Sequence, residues 1–276
     1  MAPMASPGRS QAFAGASVPA NYERFLAPVI FEPWAEILVE RIGVQPGDRV
    51  LDVASGTGVA ARQAAQRAGP SGRVVATDAS EAMLAHAATT SAAPTASPIE
   101  YMPAPATELP FRDDAFDALL CQQGLQFFAD RPAAVAEFHR VLQPGGVAGI
   151  AVWAAGHGLE PFEDYSEVML AAEVEPPYPR AYEASSYCMA GEEINALLTG
   201  AGFTSVDTSI VELTIAWPDA ATRVAGISGT PFGPLVAALS PERRAALESE
   251  LAGRGSTPDG EPLRRASVAV LAVARA

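Results

Sequence analysis

The densest chemical signal in the chain is Val50-Leu51-Asp52-Val53-Ala54-Ser55-Gly56-Thr57-Gly58. An apolar run ends in a carboxylate and then in a bend of small residues, where a backbone can approach a ligand closely because little side chain stands in the way. Twenty positions after Gly58 comes Asp78, at the end of the next apolar run. An acid at that distance can accept hydrogen bonds from both hydroxyls of a ribose, so the unit is suited to an adenosine.

Two ligand classes fit. A dinucleotide would set its pyrophosphate on a helix N-terminus through G-x-G-x-x-G, a pattern that Gly56, Gly58 and Ala61 can fill. The alternative carries a carboxylate and a cation, as does the methionine end of S-adenosylmethionine. Asp52 favours the second, because an acid just before the bend repels a pyrophosphate yet orients an ammonium group.

Other residues of chemical interest are few. All 18 basic residues are arginine, which removes Schiff-base chemistry and a P-loop lysine. Of three histidines, His86 and His139 fall within helical patterns and read as surface or packing residues. His157, in Ala155-Gly156-His157-Gly158, follows an apolar run at the ligand edge and is the candidate general base. The stretch Gln122-Gln123-Gly124-Leu125-Gln126 offers neutral amides that can hold a substrate oxygen or the methionine carboxylate, with Gln126 taken as a substrate contact. Cys121 and Cys188 make neither a disulfide framework nor a zinc quartet, and Asp113-Asp114 reads as a turn, so no metal site is expected.

These groups need a scaffold. Helical periodicity runs from Asn21 to Ile42, with Pro33 starting a second helix. Strands are expected at 49–54, 73–77, 99–102, 116–121 and 146–153, with helices at 59–68, 81–86 and 131–142 between them. A helix near 192–199, a strand at 206–217, helices at 219–226 and 241–252, and a strand at 266–273 follow. Such alternation predicts an α/β fold: a Rossmann-like, doubly wound, mostly parallel seven-stranded sheet with helices on both faces. Right-handed crossovers bring every loop after a strand to one edge, where ligands of such sheets bind. The rhythm breaks at 155–200, read as an inserted helical cap over the substrate. Four of the six tyrosines lie there, and Tyr165 and Tyr182 are taken as substrate contacts. Residues 1–18 read as a disordered leader and 19–276 as one domain.

Composition narrows the partners. With 49% hydrophobic residues the chain can build a core, while a net charge of −14 repels phosphate backbones and argues against nucleic acid. No run is long enough for membrane insertion, and a cytoplasmic monomer or homodimer acting on a small-molecule substrate is the default expectation.

Taken together, the residues resemble the class I S-adenosylmethionine-dependent methyltransferases, and most closely the branch related to ubiquinone/menaquinone-pathway and small-molecule enzymes. Four segments carry the resemblance in register over residues 20–154. Asp52-Val53-Ala54-Ser55-Gly56-Thr57-Gly58 is similar to the first motif, with Ala54 where many members have glycine. Ala76-Thr77-Asp78-Ala79-Ser80-Glu81-Ala82-Met83-Leu84 is similar to the ribose-binding segment. Glu108-Leu109-Pro110-Phe111 with Ala115-Phe116-Asp117, and Arg140-Val141-Leu142-Gln143-Pro144-Gly145-Gly146, complete the set.

The resemblance implies S-adenosyl-L-methionine as cofactor, with Ala54, Gly56 and Gly58 against its methionine and ribose and Asp78 on the ribose hydroxyls. It also implies Ala79 and Met83 beside adenine, Ala106 and Thr107 at the adenine edge, Cys121 and Gln122 on the methionine side, and Tyr22 as a lid. Pro105 stands where members often carry an aspartate beside the adenine. The implied activity is methyl transfer to a small apolar or aromatic metabolite, with secondary metabolism as its setting. The alternative on the same fold is a cofactor-retaining, non-methylating cyclase of natural-product assembly.

Overall fold

The computed structural model describes residues 17–90, 96–174, 187–255, 257 and 261–276. Its centre is a sheet of eight strands: β1 Arg49–Val53, β2 Arg73–Asp78, β3 Ile99–Pro103, β4 Phe116–Gln122, β5 Leu142–Ala154, β6 Cys188–Met189, β7 Ser205–Trp217 and β8 Leu263–Arg275. The spatial order is β3-β2-β1-β4-β5-β8-β7, with the two-residue β6 added beside the end of β5. Strands β1 to β5 are parallel and β8 runs antiparallel between β5 and β7. The expected doubly wound α/β architecture is present. The eighth strand is the short β6, whose two residues are too few to show a strand period.

Strand alternation divides the core. Val50, Ala118, Leu120 and Ala151 point to a face covered by α2 (Glu32–Ile42) and α3 (Val59–Ala68). Leu51, Val53, Leu119 and Ile150 point to the opposite face, under α5 (Arg131–Val141) and α7 (Gly191–Gly200). Side chains on both faces of the central strands are therefore buried, which is why these runs are almost continuously apolar. Arg49 grips Asp117 through two guanidinium bonds of 2.9 Å, setting β1 beside β4. Their opposite ends carry the site, at the point where the strand order reverses.

The N-terminal helical stretch is not one regular helix. A short α1 (Val18–Asn21) leads into a π-helix over Tyr22–Phe31 that contains Pro28, and α2 then begins with Pro33 in its first turn. Proline has no N–H to donate and its ring crowds the carbonyl of the preceding turn, and wider turns relieve both. Val18, the last residue of the expected leader, is fully buried in α1, and residues 1–16 lie outside the described residues.

The cap differs from the contiguous 155–200 insertion expected. It has its own small core, in which Tyr165, Val168 and Met169 of α6 (Phe162–Ala171) meet Leu247 and Leu251 of α10 (Pro241–Arg254) and Phe232 and Val236 near α9 (Gly233–Ala237). The i, i+3, i+4 spacing on α6 and the i, i+4 spacing on α10 each make one apolar face, and these faces bury each other. Buried Arg223 of α8 (Ala220–Gly226) pairs with Glu160 and Asp164, fastening the two stretches together. By contrast α7, inside the expected insertion, packs its Ile194 and Leu198 into the sheet core.

Candidate active site

Between the sheet edge and the cap lies a cavity of about 450 Å³. Its floor is the bend after β1. Ser55 N–H donates to the Thr77 carbonyl (3.0 Å) and Gly58 N–H to the Ser55 carbonyl (2.8 Å), closing a tight loop onto α3. Three of its residues are left-handed: Ala54 at φ +57°, Gly56 at +55° and Gly58 at +83°. At Ala54 the side chain makes this costly, by about 1 kcal/mol.

Asp78 ends β2 facing the bend. Its Oδ2 accepts from Gly56 N–H and its Oδ1 from Ser80 N–H, both at 2.8 Å. Burial raises its pKa, and those backbone donors oppose the rise. Each oxygen keeps a free lone pair toward the cavity. Asp52 is fully buried and neither carboxylate oxygen has a hydrogen-bond partner. Burial pushes its pKa up to about 8, with the Asp78 charge adding to the rise. The nearby Ala61 N–H opposes that rise without reaching full hydrogen-bond geometry, and a buried acid left so is suited to a cation or donor that a ligand brings.

The walls come from separate elements. Met83 of α4 (Glu81–Ala87) and the Ala104–Thr107 turn after β3 line one side. Tyr22 lines the other, stacked on Phe31 with ring centroids 4.7 Å apart. Arg62 of α3 donates to the Thr57 carbonyl (2.7 Å) and pairs with Glu23, tying the bend to the π-helix. Gln122 donates from Nε2 to the Phe31 carbonyl (2.8 Å), tying β4 to the same helix. The same cavity is lined by the aromatic rings of Phe127, Phe128, Trp153, Phe162, Tyr187 and Phe232, with Asp130 close in sequence to the first two.

Of the residues singled out from the sequence, Tyr22, Asp52, Ala54, Gly56, Asp78, Ala79, Met83, Ala106, Thr107 and Gln122 line this one cavity. Pro105, the departure noted beside the adenine position, lines it too. Five others do not, and each is corrected for a physical reason. Gly58 sits behind the bend, where Tyr101 covers it and α3 begins. Cys121 points into the second core, and burial raises its thiol pKa well above the usual range. Gln126 is buried away from the cavity, its carbonyl accepting from Arg131. Tyr165 is the centre of the cap core and its hydroxyl donates to the Arg223 carbonyl. His157 is exposed on the loop after β5, outside the cavity lining. Tyr182 lies outside the described residues.

Sequence reasoning missed the roof, Gly229 to Phe232, which lies far along the chain from every motif. Within the amide stretch it singled out Gln122 and Gln126, whereas Gln123 also lines the cavity.

Comparison with known proteins bears on this geometry. Residues 51–150 match a family model described as a methyltransferase domain. The uncharacterized protein Rv1405c of Mycobacterium tuberculosis is 32% identical over 185 residues, covering 66% of each chain. The ubiquinone/menaquinone biosynthesis C-methyltransferase UbiE of Teredinibacter turnerae is 36% identical over 134 residues, 47% of this chain and 54% of that one. The chain thus carries a match to a methyltransferase domain, in support of the class I S-adenosylmethionine-dependent resemblance. It aligns with just under two thirds of the mycobacterial relative and about half of the UbiE protein. A phosphoethanolamine N-methyltransferase 2 of Haemonchus contortus, in complex with S-adenosyl-L-methionine, shares the methyltransferase fold. It superposes with a TM-score of 0.62 at 19% identity, covering 99% of this chain and 60% of that one.

The residues present fit the family's cofactor. Asp52 is a buried carboxylate with neither oxygen hydrogen-bonded, Asp78 accepts from Gly56 and Ser80 N–H and lines the cavity, and the bend between them carries no side chain larger than serine or threonine, a combination that suits a cationic amino-acid nucleoside. Among the described residues no group of histidine, cysteine, aspartate and glutamate is arranged to hold a metal ion.

Proposed function

We propose that this chain transfers a methyl group from S-adenosyl-L-methionine to a small, neutral, apolar or aromatic metabolite. The observation that supports it is that one cavity is lined both by Asp52 and Asp78 at the bend and by the aromatic rings of Phe127, Phe128, Trp153, Phe162, Tyr187 and Phe232. When bound, S-adenosylmethionine supplies an electrophilic methyl group on a sulfonium. Asp78 holds the ribose hydroxyls, Asp52 faces the ammonium, Ala79 and Met83 flank the adenine, and Ala106 and Thr107 meet its edge. Tyr22 covers the nucleoside from the π-helix. The aromatic rings grip the acceptor at near-attack distance and keep water out, and alignment of this kind supplies much of the acceleration for an in-line displacement.

A second reading, cofactor-retaining cyclisation without methyl transfer, is favoured by one feature. Among the described residues that line the cavity there is no histidine, and the one carboxylate besides Asp52 and Asp78 is Asp130. Incubation with labelled S-adenosylmethionine and a panel of hydroxylated aromatics separates the two. Release of S-adenosylhomocysteine with product heavier by one methyl group supports the first. A rearranged product of unchanged mass, with cofactor retained, supports the second.

The proposed setting is secondary metabolism in the cytoplasm, with a small-molecule substrate, no nucleic-acid partner, and a monomer or homodimer as the working unit. The net charge of −14 supports the exclusion of nucleic acid. Among the described residues no helix is long and apolar enough to cross a membrane. Native mass spectrometry reads the assembly directly.

A further inference from the structure

Gln123 lines the cavity, and the chain holds its backbone under strain. It is the first residue beyond β4, and its N–H donates to the Ala151 carbonyl of β5 (2.8 Å). Its backbone is left-handed at φ +45°, a conformation that residues with side chains rarely adopt. The residue is 6% exposed and lines the cavity, and neither Oε1 nor Nε2 of its amide has a hydrogen-bond partner. A buried carboxamide with both donor and acceptor unmet is unfavourable, unless a ligand completes it.

The surroundings define that ligand. Gln122 has its Nε2 on the Phe31 carbonyl and only its Oε1 unpaired, so Gln123 is the lining amide that offers both a donor and an acceptor. Phe127 and Phe128 continue the same loop and Trp153 stands on the neighbouring strand, walls that accept a flat ring. Among the described lining residues there is no arginine or histidine, and the carboxylates are Asp52, Asp78 and Asp130. An anionic acceptor would meet only like charge.

We infer that Gln123 is the acceptor-recognition residue, and that the acceptor is a neutral planar aromatic with a hydrogen-bond donor beside a carbonyl on one edge, as in a lactam. The carboxamide presents one donor and one acceptor side by side. Nε2 donates to the carbonyl and Oε1 accepts from the neighbouring N–H, a matched pair that an edge lacking either group cannot make. The inference rests on the methyl-transfer reading for the fate of the acceptor, while recognition itself is a matter of binding.

The test titrates matched probes into the full chain loaded with S-adenosylhomocysteine. The probes are 6-hydroxy-2-quinolone, 6-hydroxycoumarin (in which the ring N–H is replaced by oxygen) and the anion 6-hydroxy-2-naphthoate. The wild-type protein is expected to bind the quinolone about tenfold more tightly than the coumarin, the size of one matched hydrogen bond in a dry site, and to bind the naphthoate least. Gln123→Leu is expected to erase the preference while S-adenosylhomocysteine affinity stays within about threefold. Gln123→Gly, which relieves the left-handed backbone and so stays folded if the leucine variant does not, is expected to lose the preference and gain thermal stability. Equal binding of quinolone and coumarin by the wild type overturns the inference, as does a preference that survives in the glycine variant. If the preference is present but no methylated quinolone forms with S-adenosylmethionine, the methyl-transfer reading falls and the role of Gln123 stands.

Discussion

Asp52, near the end of β1, and Ala54, on the bend after it, are both unfavourable in the folded chain, the first through burial and the second through its left-handed backbone. Burial holds the Asp52 carboxyl at about 8, so the folded protein binds its proton more tightly than the unfolded chain does. Its contribution to stability is therefore greatest in acid and is lost as pH rises through about 8. Asp52→Asn removes this loss, and the variant's Tm advantage over the wild-type apoprotein is expected to grow with pH, reaching about 5 °C near pH 8.5 by differential scanning calorimetry. Ligand binding runs the other way, because an ammonium beside Asp52 favours the ionised form. Affinity for S-adenosylhomocysteine is expected to rise by up to about tenfold per pH unit from pH 6 to 7.5, more steeply than in Asp52→Asn. Equal slopes in the two proteins would remove Asp52 from the ligand's environment. Ala54 offers a cleaner stability test. Its φ of +57° suits glycine, so Ala54→Gly is expected to raise Tm by about 2 °C. Its cofactor affinity should remain within about threefold, because the ligand meets backbone there.

Among elements, the roof is the most sensitive to change. The 3-10 turn Ile227–Gly229 lies directly on the π-helix, and a Cβ at Gly229 would stand 2.6 Å from the Tyr22 nitrogen. Backbone on both sides leaves no flexible side chain to yield. Gly229→Ala is expected to lower Tm by about 5 °C, the usual cost of overpacking, and to weaken S-adenosylhomocysteine binding by lifting Tyr22 off the cavity. Unchanged binding in calorimetric titrations of that variant would show that Tyr22 is not a lid. The cap below this turn depends on Arg223, fully buried against Glu160 and Asp164. Neither α6 nor α8 shows the other's position by periodicity, since the pairing lies between charges about sixty residues apart.

For the molecule as a whole, the cavity predicts which ligand stabilises it. A ligand bound only by the folded state adds about 2.7 kcal/mol at a hundred times its Kd, and for a chain of this size Tm is expected to rise by roughly 5–10 °C. S-adenosylhomocysteine should produce that shift, and NAD at the same concentration should not, because its pyrophosphate would face Asp52. A matching shift with NAD would reopen the dinucleotide reading. The charge of −14 acts on the whole surface, in keeping with the absence of cationic side chains from the described cavity lining.

What the sequence determined by itself was local or repeated: strands running into helices, the bend after β1, and the spacing from it to Asp78. Each of these depends on residues near one another in the chain, where side-chain period and backbone preference act directly. The family resemblance added register to that pattern, which is why ten of the expected cofactor residues line one cavity. Tertiary structure alone decided the rest. Tyr165 looked like a substrate contact because tyrosines cluster around it, but its neighbours in space are Leu247, Leu251 and Arg223. The roof came from residues 229–232, and Gln123 is set apart from Gln122 by its left-handed backbone and by an amide with neither end paired. Burial and hydrogen-bond satisfaction are set by elements brought together from distant parts of the chain, and no local pattern records them.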